Sequence, residues 1–225
     1  MKRLIAVFGV LALASTAWAA GTVVGSRHDL STTGGTPAAA ALVEVCASCH
    51  TPHQATAANQ QDPLWNHTGT TTAAFGVYGS ATMNATPTEI GGAAMGSQSV
   101  SLLCMSCHDG TVSVVSMYNP PNSGVGAVTP IAGRILASGF IDPASGGYIG
   151  TVLTDDHPVN FTYNTALATA DGGLNDPAVT PAVSALLIGG QVQCSSCHDV
   201  HDPTFTPFLR TNNAGSALCL LCHIK

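Results

Sequence analysis

Eight cysteines and four histidines fall into one repeated frame: Cys46-Ala-Ser-Cys49-His50, Cys104-Met-Ser-Cys107-His108, Cys194-Ser-Ser-Cys197-His198 and Cys219-Leu-Leu-Cys222-His223. No cysteine is left over. Two thiols three positions apart, followed at once by an imidazole, are the attachment pattern of c-type haem. The thiols add across two vinyl groups on one porphyrin edge, and the adjacent histidine reaches the iron as proximal ligand. Two four-thiolate zinc sites would also use eight cysteines, but they leave the histidine after every second one unexplained. A redox CxxC pair fails for the same reason. The expectation is four haem c, with His50, His108, His198 and His223 proximal.

Five histidines remain: His28, His53, His67, His157 and His201. Four irons can therefore all be closed by a second histidine, which makes bis-His ligation the economical reading over Met83, Met95, Met105 or Met117. His53 follows His50 by three residues, and His201 follows His198 by three. Such a residue stays on the proximal side of its own haem, because three helical residues advance only about 4.5 Å. It is free to ligate a neighbouring haem instead.

An internal repeat orders the set. The first half reads His28, Cys46 to His50, His53, Cys104 to His108; the second reads His157, Cys194 to His198, His201, Cys219 to His223. By that symmetry His28, His53, His157 and His201 are the expected distal ligands. His67 has no counterpart, and is either a packed histidine beside Trp65 or an alternative distal ligand. Asp109 and Asp199 follow proximal histidines directly, as turn or capping aspartates or as orienting carboxylates. Asn66, Asn84 and Asn160 fit the glycosylation triplet, a pattern that recurs by chance.

The elements that must position these residues are sparse. Of 225 residues only 8% are charged, while Gly and Pro are abundant, which argues against helical bundles and coiled coils. The fold expected is mostly irregular coil, with short α-helices at the CxxCH segments, little or no sheet and a core of stacked haems. Two pseudo-repeats, about 20–118 and 151–225, form one domain at 20–225. A connector rich in Gly, Pro and Ser, from Asn119 to Gly150, joins them.

Met1-Lys2-Arg3, the apolar run Leu4 to Ala14 and Ala17-Trp18-Ala19 read as a signal peptide over 1–19, cleaved after Ala19. The run is too short for a membrane anchor. After cleavage four cations face twelve carboxylates, so no basic surface for nucleic acid is expected. Export is expected, to the cell surface or, alternatively, the periplasm.

The words Arg27-His28-Asp29-Leu30-Ser31, Cys-x-x-Cys-His-Thr-Pro-His53, Pro63-Leu-Trp-Asn66, Leu103-Cys-x-x-Cys-His-Asp-Gly110, Asp156-His157-Pro158-Val159 and Cys-Ser-Ser-Cys-His-Asp-Val-His201 resemble the doubled-CxxCH multihaem cytochromes. Among these the chain is similar to the extracellular tetrahaem cytochromes of metal-reducing bacteria that polymerise into conductive filaments. The resemblance implies bis-His haems in alternating stacked and T-shaped pairs. It also implies a homopolymer in which one of His28, His53, His67, His157 or His201 completes a haem of the next subunit, with other redox cytochromes and extracellular electron acceptors as further partners. Electron transfer without bond-making chemistry is the expected function. The alternatives are a discrete periplasmic tetrahaem carrier and, less favoured, a multihaem reductase, which would need an open iron and cationic groups at the substrate.

Overall fold

In the computed structural model, residues 22–31, 42–55, 64–85 and 99–224 are described. The signal-peptide expectation over 1–19 and Met95 lie outside them. Most of the described chain is turns and irregular backbone, with few helices and little sheet. Strand β1 (Gly76–Val77) pairs in parallel with β2 (Val152–Leu153), and β3 (Phe161–Thr162) pairs antiparallel with β4 (Gln191–Val192). Among the described residues no helix is long and apolar enough to cross a membrane.

The helices have local causes. Helix α1 (Val100–His108) carries the second motif in its last turns, with Leu103 and Met105 buried. Helix α2 (Thr165–Asp171) starts where the Asn164 side chain accepts from the Leu167 amide, and stops at Gly172 with φ of 71°. These are a side-chain N-cap and a left-handed C-cap. Helix α3 (Pro181–Ser184) opens on a proline, where the missing N–H costs nothing. Helix α4 (Cys194–Cys197) is the third motif, opened by a capping box between Gln193 and Ser196. Helix α5 (Ala217–Cys222) carries the fourth motif.

The first motif departs from the expected pattern. Residues 45–49 form turns, held by Cys49 and His50 amides donating to the Cys46 carbonyl. With no helix around it, this motif is anchored from outside. The Thr51 amide donates to Leu64, the Asn66 amide to Cys49, and the Asn66 side chain to the Ala47 carbonyl.

Apolar burial is divided. One cluster gathers Phe161, Tyr163, Ala168, Val183 and Val192, a second Phe75, Met105 and Leu153, a third Val114 and Ile141. Each borders a motif: Cys222 packs on the first, Met105 lies within the second motif, and Cys107 packs on the third cluster. The 119–150 segment does more than connect, since Ile131 and Ile135 pack on the third cluster and bridge to one another, and Ile135 bridges to Ile141.

Candidate functional site

The four motifs lie beside one another. The Cys104 and Cys194 thiols lie close enough to shift one another, Cys104 well up and Cys194 down, while Cys104 Sγ donates to the Val100 carbonyl. Burial, then the nearby Cys49, pushes up the Cys107 thiol. Burial, then Cys222, pushes up Cys197. Consecutive motifs are thus neighbours through their cysteines, first to second, second to third and third to fourth. All eight cysteines are free of disulfides. Among the described residues no three His, Cys, Asp or Glu side chains converge into a metal cage.

One residue organises the second-to-third junction. Gln193 is buried, and its Oε1 accepts from Ser99 Oγ at 2.9 Å and from Ser101 Oγ at 2.6 Å. Its Nε2 donates to Asn160 Oδ1 and to Gln191 Oε1, both at 2.8 Å. The Cys194 amide donates to Ser101 Oγ at 3.0 Å. The start of α1 is thereby bound to the start of α4, which sets Cys104 against Cys194. Sequence reasoning missed Gln193 because a glutamine between a strand and a motif has no spacing signature.

Six of the nine histidines stand in pairs. The ring centroids of His28 and His108 are 6.0 Å apart, tilted by 54°. Those of His50 and His201 are 6.2 Å apart and nearly parallel, at 15°. Those of His157 and His223 are 6.3 Å apart at 74°. With metal–imidazole bonds of about 2 Å, two imidazoles on one metal would have centroids roughly 6 Å apart, which is the separation found in all three pairs. Each joins one motif histidine to one expected distal histidine. His53 and His198 have no other histidine ring at such a separation among the described residues.

Ring orientation follows from Nδ1. His108 donates from Nδ1 to the Gly147 carbonyl at 2.5 Å, His198 to Pro207 at 2.9 Å, and His157 to Pro158 at 2.7 Å. A ligating histidine commonly gives its second N–H to such a carbonyl, leaving Nε2 for the metal. Gly147 lies in the 119–150 segment, so the connector supports a motif histidine. His28 is lowered to about 4, first by burial and then by His108. Its loop is held by buried Asp29, which accepts from the Gly25 amide at 2.8 Å and from Ser31 Oγ at 2.6 Å.

His67 differs. It is 2% exposed, with Nδ1 at 2.8 Å from the Thr68 carbonyl and Nε2 at 3.0 Å from the Ser113 carbonyl. Cys107 Sγ lies 3.3 Å from the same Nε2. Both ring nitrogens are taken by the chain. Met105 is buried in the second apolar cluster and Met83 packs on the first.

Asp109 is 1% exposed and accepts from Thr72 Oγ1 at 2.9 Å, from the Thr111 amide at 2.9 Å and from Thr70 Oγ1. It ties the 70–72 segment to the end of α1. Asp199 faces Arg210 at 3.5 Å. Asn66 and Asn160 are buried with their amides engaged, so these two triplets are structural.

Three buried polar atoms lack a protein partner among the described residues: His28 Nδ1, Trp65 Nε1 and Ser195 Oγ. Trp65 stands edge-on to His50 at 6.2 Å, and Ser195 is inside the third motif. Such orphans are rare in folded chains. Their place at the motifs fits a prosthetic group that occupies the space beside them.

Residues 188–225 match the family model of the doubled CXXCH motif. The third and fourth motifs thus form a doubled CXXCH unit, consistent with a multihaem c-type cytochrome. Motifs of this type attach haem covalently and serve electron transfer. Comparison with curated proteins gives no match.

Proposed function

We propose that the chain carries four c-type haems, each held by two histidines, and conducts electrons as the subunit of an extracellular cytochrome filament. Bound haem supplies a one-electron iron couple, and axial ligand identity is a main lever on its potential. The chain holds each group by two thioethers and a motif histidine: Cys46, Cys49 and His50; Cys104, Cys107 and His108; Cys194, Cys197 and His198; Cys219, Cys222 and His223. The second ligands in this reading are His201 for the first motif, His28 for the second and His157 for the fourth.

The observation that carries the reading is the set of three histidine pairs at 6.0 to 6.3 Å. Contact between consecutive motifs supports it further, because electrons then pass from group to group without a substrate pocket. The haems supply the core that three small apolar clusters leave incomplete. CXXCH motifs accompany export from the cytoplasm, and cell-surface delivery follows from the filament reading.

The test is electron microscopy of protein sheared from the outside of producing cells, at a resolution that shows axial ligands. Continuous filaments with six-coordinate haems on every motif are expected. Discrete particles confined to the periplasm would leave a soluble carrier.

One observation favours a reductase: His198 faces no histidine of its own chain at ligand spacing. A haem there would keep an open iron position in an isolated subunit. The nearest cation, Arg210, is engaged by Asp199 and by the Ser195 carbonyl, and so is not aimed at a substrate. A high-spin signal from one haem in the assembled protein would establish the open site and decide for the enzyme.

A further inference from the structure

We infer that Phe208 is a positioning residue for His28, and that the turn it sits in serves the second and third haem sites at once. The inference rests on the reading of one haem per motif. Three of the ligating histidines in that reading have a carbonyl of the chain on Nδ1: His108 has Gly147, His157 has Pro158 and His198 has Pro207. His28 differs, since its buried Nδ1 has no protein partner among the described residues. What stands against its ring is Phe208, with centroids 4.7 Å apart and planes at 71°. An edge-to-face contact has a preferred geometry, and so directs a ring that no hydrogen bond from the chain holds.

The backbone aims Phe208 at this place. Its φ is 61°, a left-handed conformation that glycine adopts freely and a bulky side chain rarely does. Such a conformation persists where the surroundings over-determine it. Here the third motif does so. The Pro207 carbonyl accepts from His198 Nδ1 at 2.9 Å, and the Phe208 carbonyl accepts from the Asp199 amide at 2.7 Å. The Leu209 amide closes the turn on the Phe205 carbonyl at 2.7 Å, and the Arg210 amide donates to the Cys197 carbonyl at 2.9 Å. The turn is thereby clamped to residues 197–199 on one side and presents one ring to His28 on the other. His28 belongs to the first half of the repeat and Phe208 to the second. The ligand geometry of the second haem therefore depends on how the third motif is seated.

The consequence falls on the iron couple. Groups around an axial ligand fix its ring orientation, and the plane of an imidazole sets how its π orbitals meet the iron d orbitals. A turned ring changes the ferric low-spin signal and the potential. His28 and His108 stand at 54° to one another, and Phe208 keeps His28 at that angle.

The test is Phe208→Gly in the haem-loaded full chain, with Phe208→Tyr and His28→Ala beside it. Glycine accepts the left-handed backbone, so the turn and its carbonyls stay while the ring is gone. Haem content by pyridine haemochrome, ferric electron paramagnetic resonance and midpoint potentials are read on each. The expected result in Phe208→Gly is a full complement of haem, with one low-spin signal shifted and the potential of that haem moved. The shifted signal should be the one that His28→Ala loses to high spin, and Phe208→Tyr, which keeps the ring, should leave it at the wild-type position. Unchanged signals in Phe208→Gly would overturn the assignment and leave the four-haem reading standing. An equal change in every signal would overturn it too, by showing a general loosening. Fewer than four haems on the wild-type chain would overturn the reading on which the assignment rests.

Discussion

His67 and His28 are both histidines outside the motifs, and what their nitrogens touch separates them. His67 has both nitrogens against the chain, Nδ1 beside the Thr68 carbonyl and Nε2 beside the Ser113 carbonyl and Cys107 Sγ, and burial favours its neutral form, which donates to one carbonyl, so it acts as a brace. His67→Phe should therefore lower stability by about 1–3 kcal/mol, the cost of an orphaned buried acceptor, while every haem stays low-spin. Loss of a low-spin haem in that variant would make His67 a ligand. His28, lowered by burial to about 4, behaves differently on acidification. A released imidazole is lost to protonation only below its own pKa, and only the neutral form ligates. For His28, held down by burial, that competition begins near pH 4. In the four-haem reading, a haem ligated by His28 should thus stay six-coordinate down to about that pH. An acid titration read by spin state checks this; loss of its low-spin signal well above that pH would refute it. The CxxCH frames are legible in the sequence because covalent haem attachment dictates their spacing. Pairing is less so, since a ring opposite another depends on contacts dozens of residues away. Of the four histidines that repeat symmetry names, His28, His157 and His201 stand opposite motif histidines and His53 does not, and the repeat could not say that His201 reaches back to His50.

At the scale of elements, motif geometry depends on how α1 meets α4. Gln193 joins them through one buried amide that satisfies Ser99, Ser101, Asn160 and Gln191. Gln193→Leu keeps the volume and removes every partner at once. Each buried polar group left alone costs about 1–3 kcal/mol, and the network members lose their partners together. A fall of about 3–5 kcal/mol in unfolding free energy is expected from denaturant titration, with altered coupling between the second and third haems in the ferric spectrum. A loss under 1 kcal/mol would mean that the haems themselves, rather than this amide, hold the two helices together. The expected helices appeared at the second, third and fourth motifs. The first lacks one because Thr51, Asn66 and Asn119 already hold its backbone from outside. A tripeptide spacing says nothing about that support. Gly110 marks a similar dependence: with φ of 73° it turns the chain out of α1, and a Cβ there would strike the Tyr148 ring.

The whole molecule raises the question of what holds a chain of this composition together. Among the described residues, three apolar clusters contain five, three and two buried residues, and the sheets are two-residue pairs. Small cores of this kind leave little margin against the entropy of ordering the backbone. A covalently held haem stays on the unfolded chain too, so what it would add to the folded state is burial of its apolar faces and the second histidine bond. Covalent attachment adds a second effect, because two thioethers per motif restrict the unfolded chain in the way that cross-links do. The chain expressed without haem attachment should then be unfolded at 25 °C, with poorly dispersed amide resonances and no cooperative thermal transition. The haem-loaded chain should melt in one step. If the haem-free chain also melted cooperatively, the polypeptide network around Gln193 and Asp109 would be a fold in its own right, and haem would be a guest in it. If it does not, the histidine pairs acquire their 6 Å spacing only as haem enters, and attachment and folding become steps of one process.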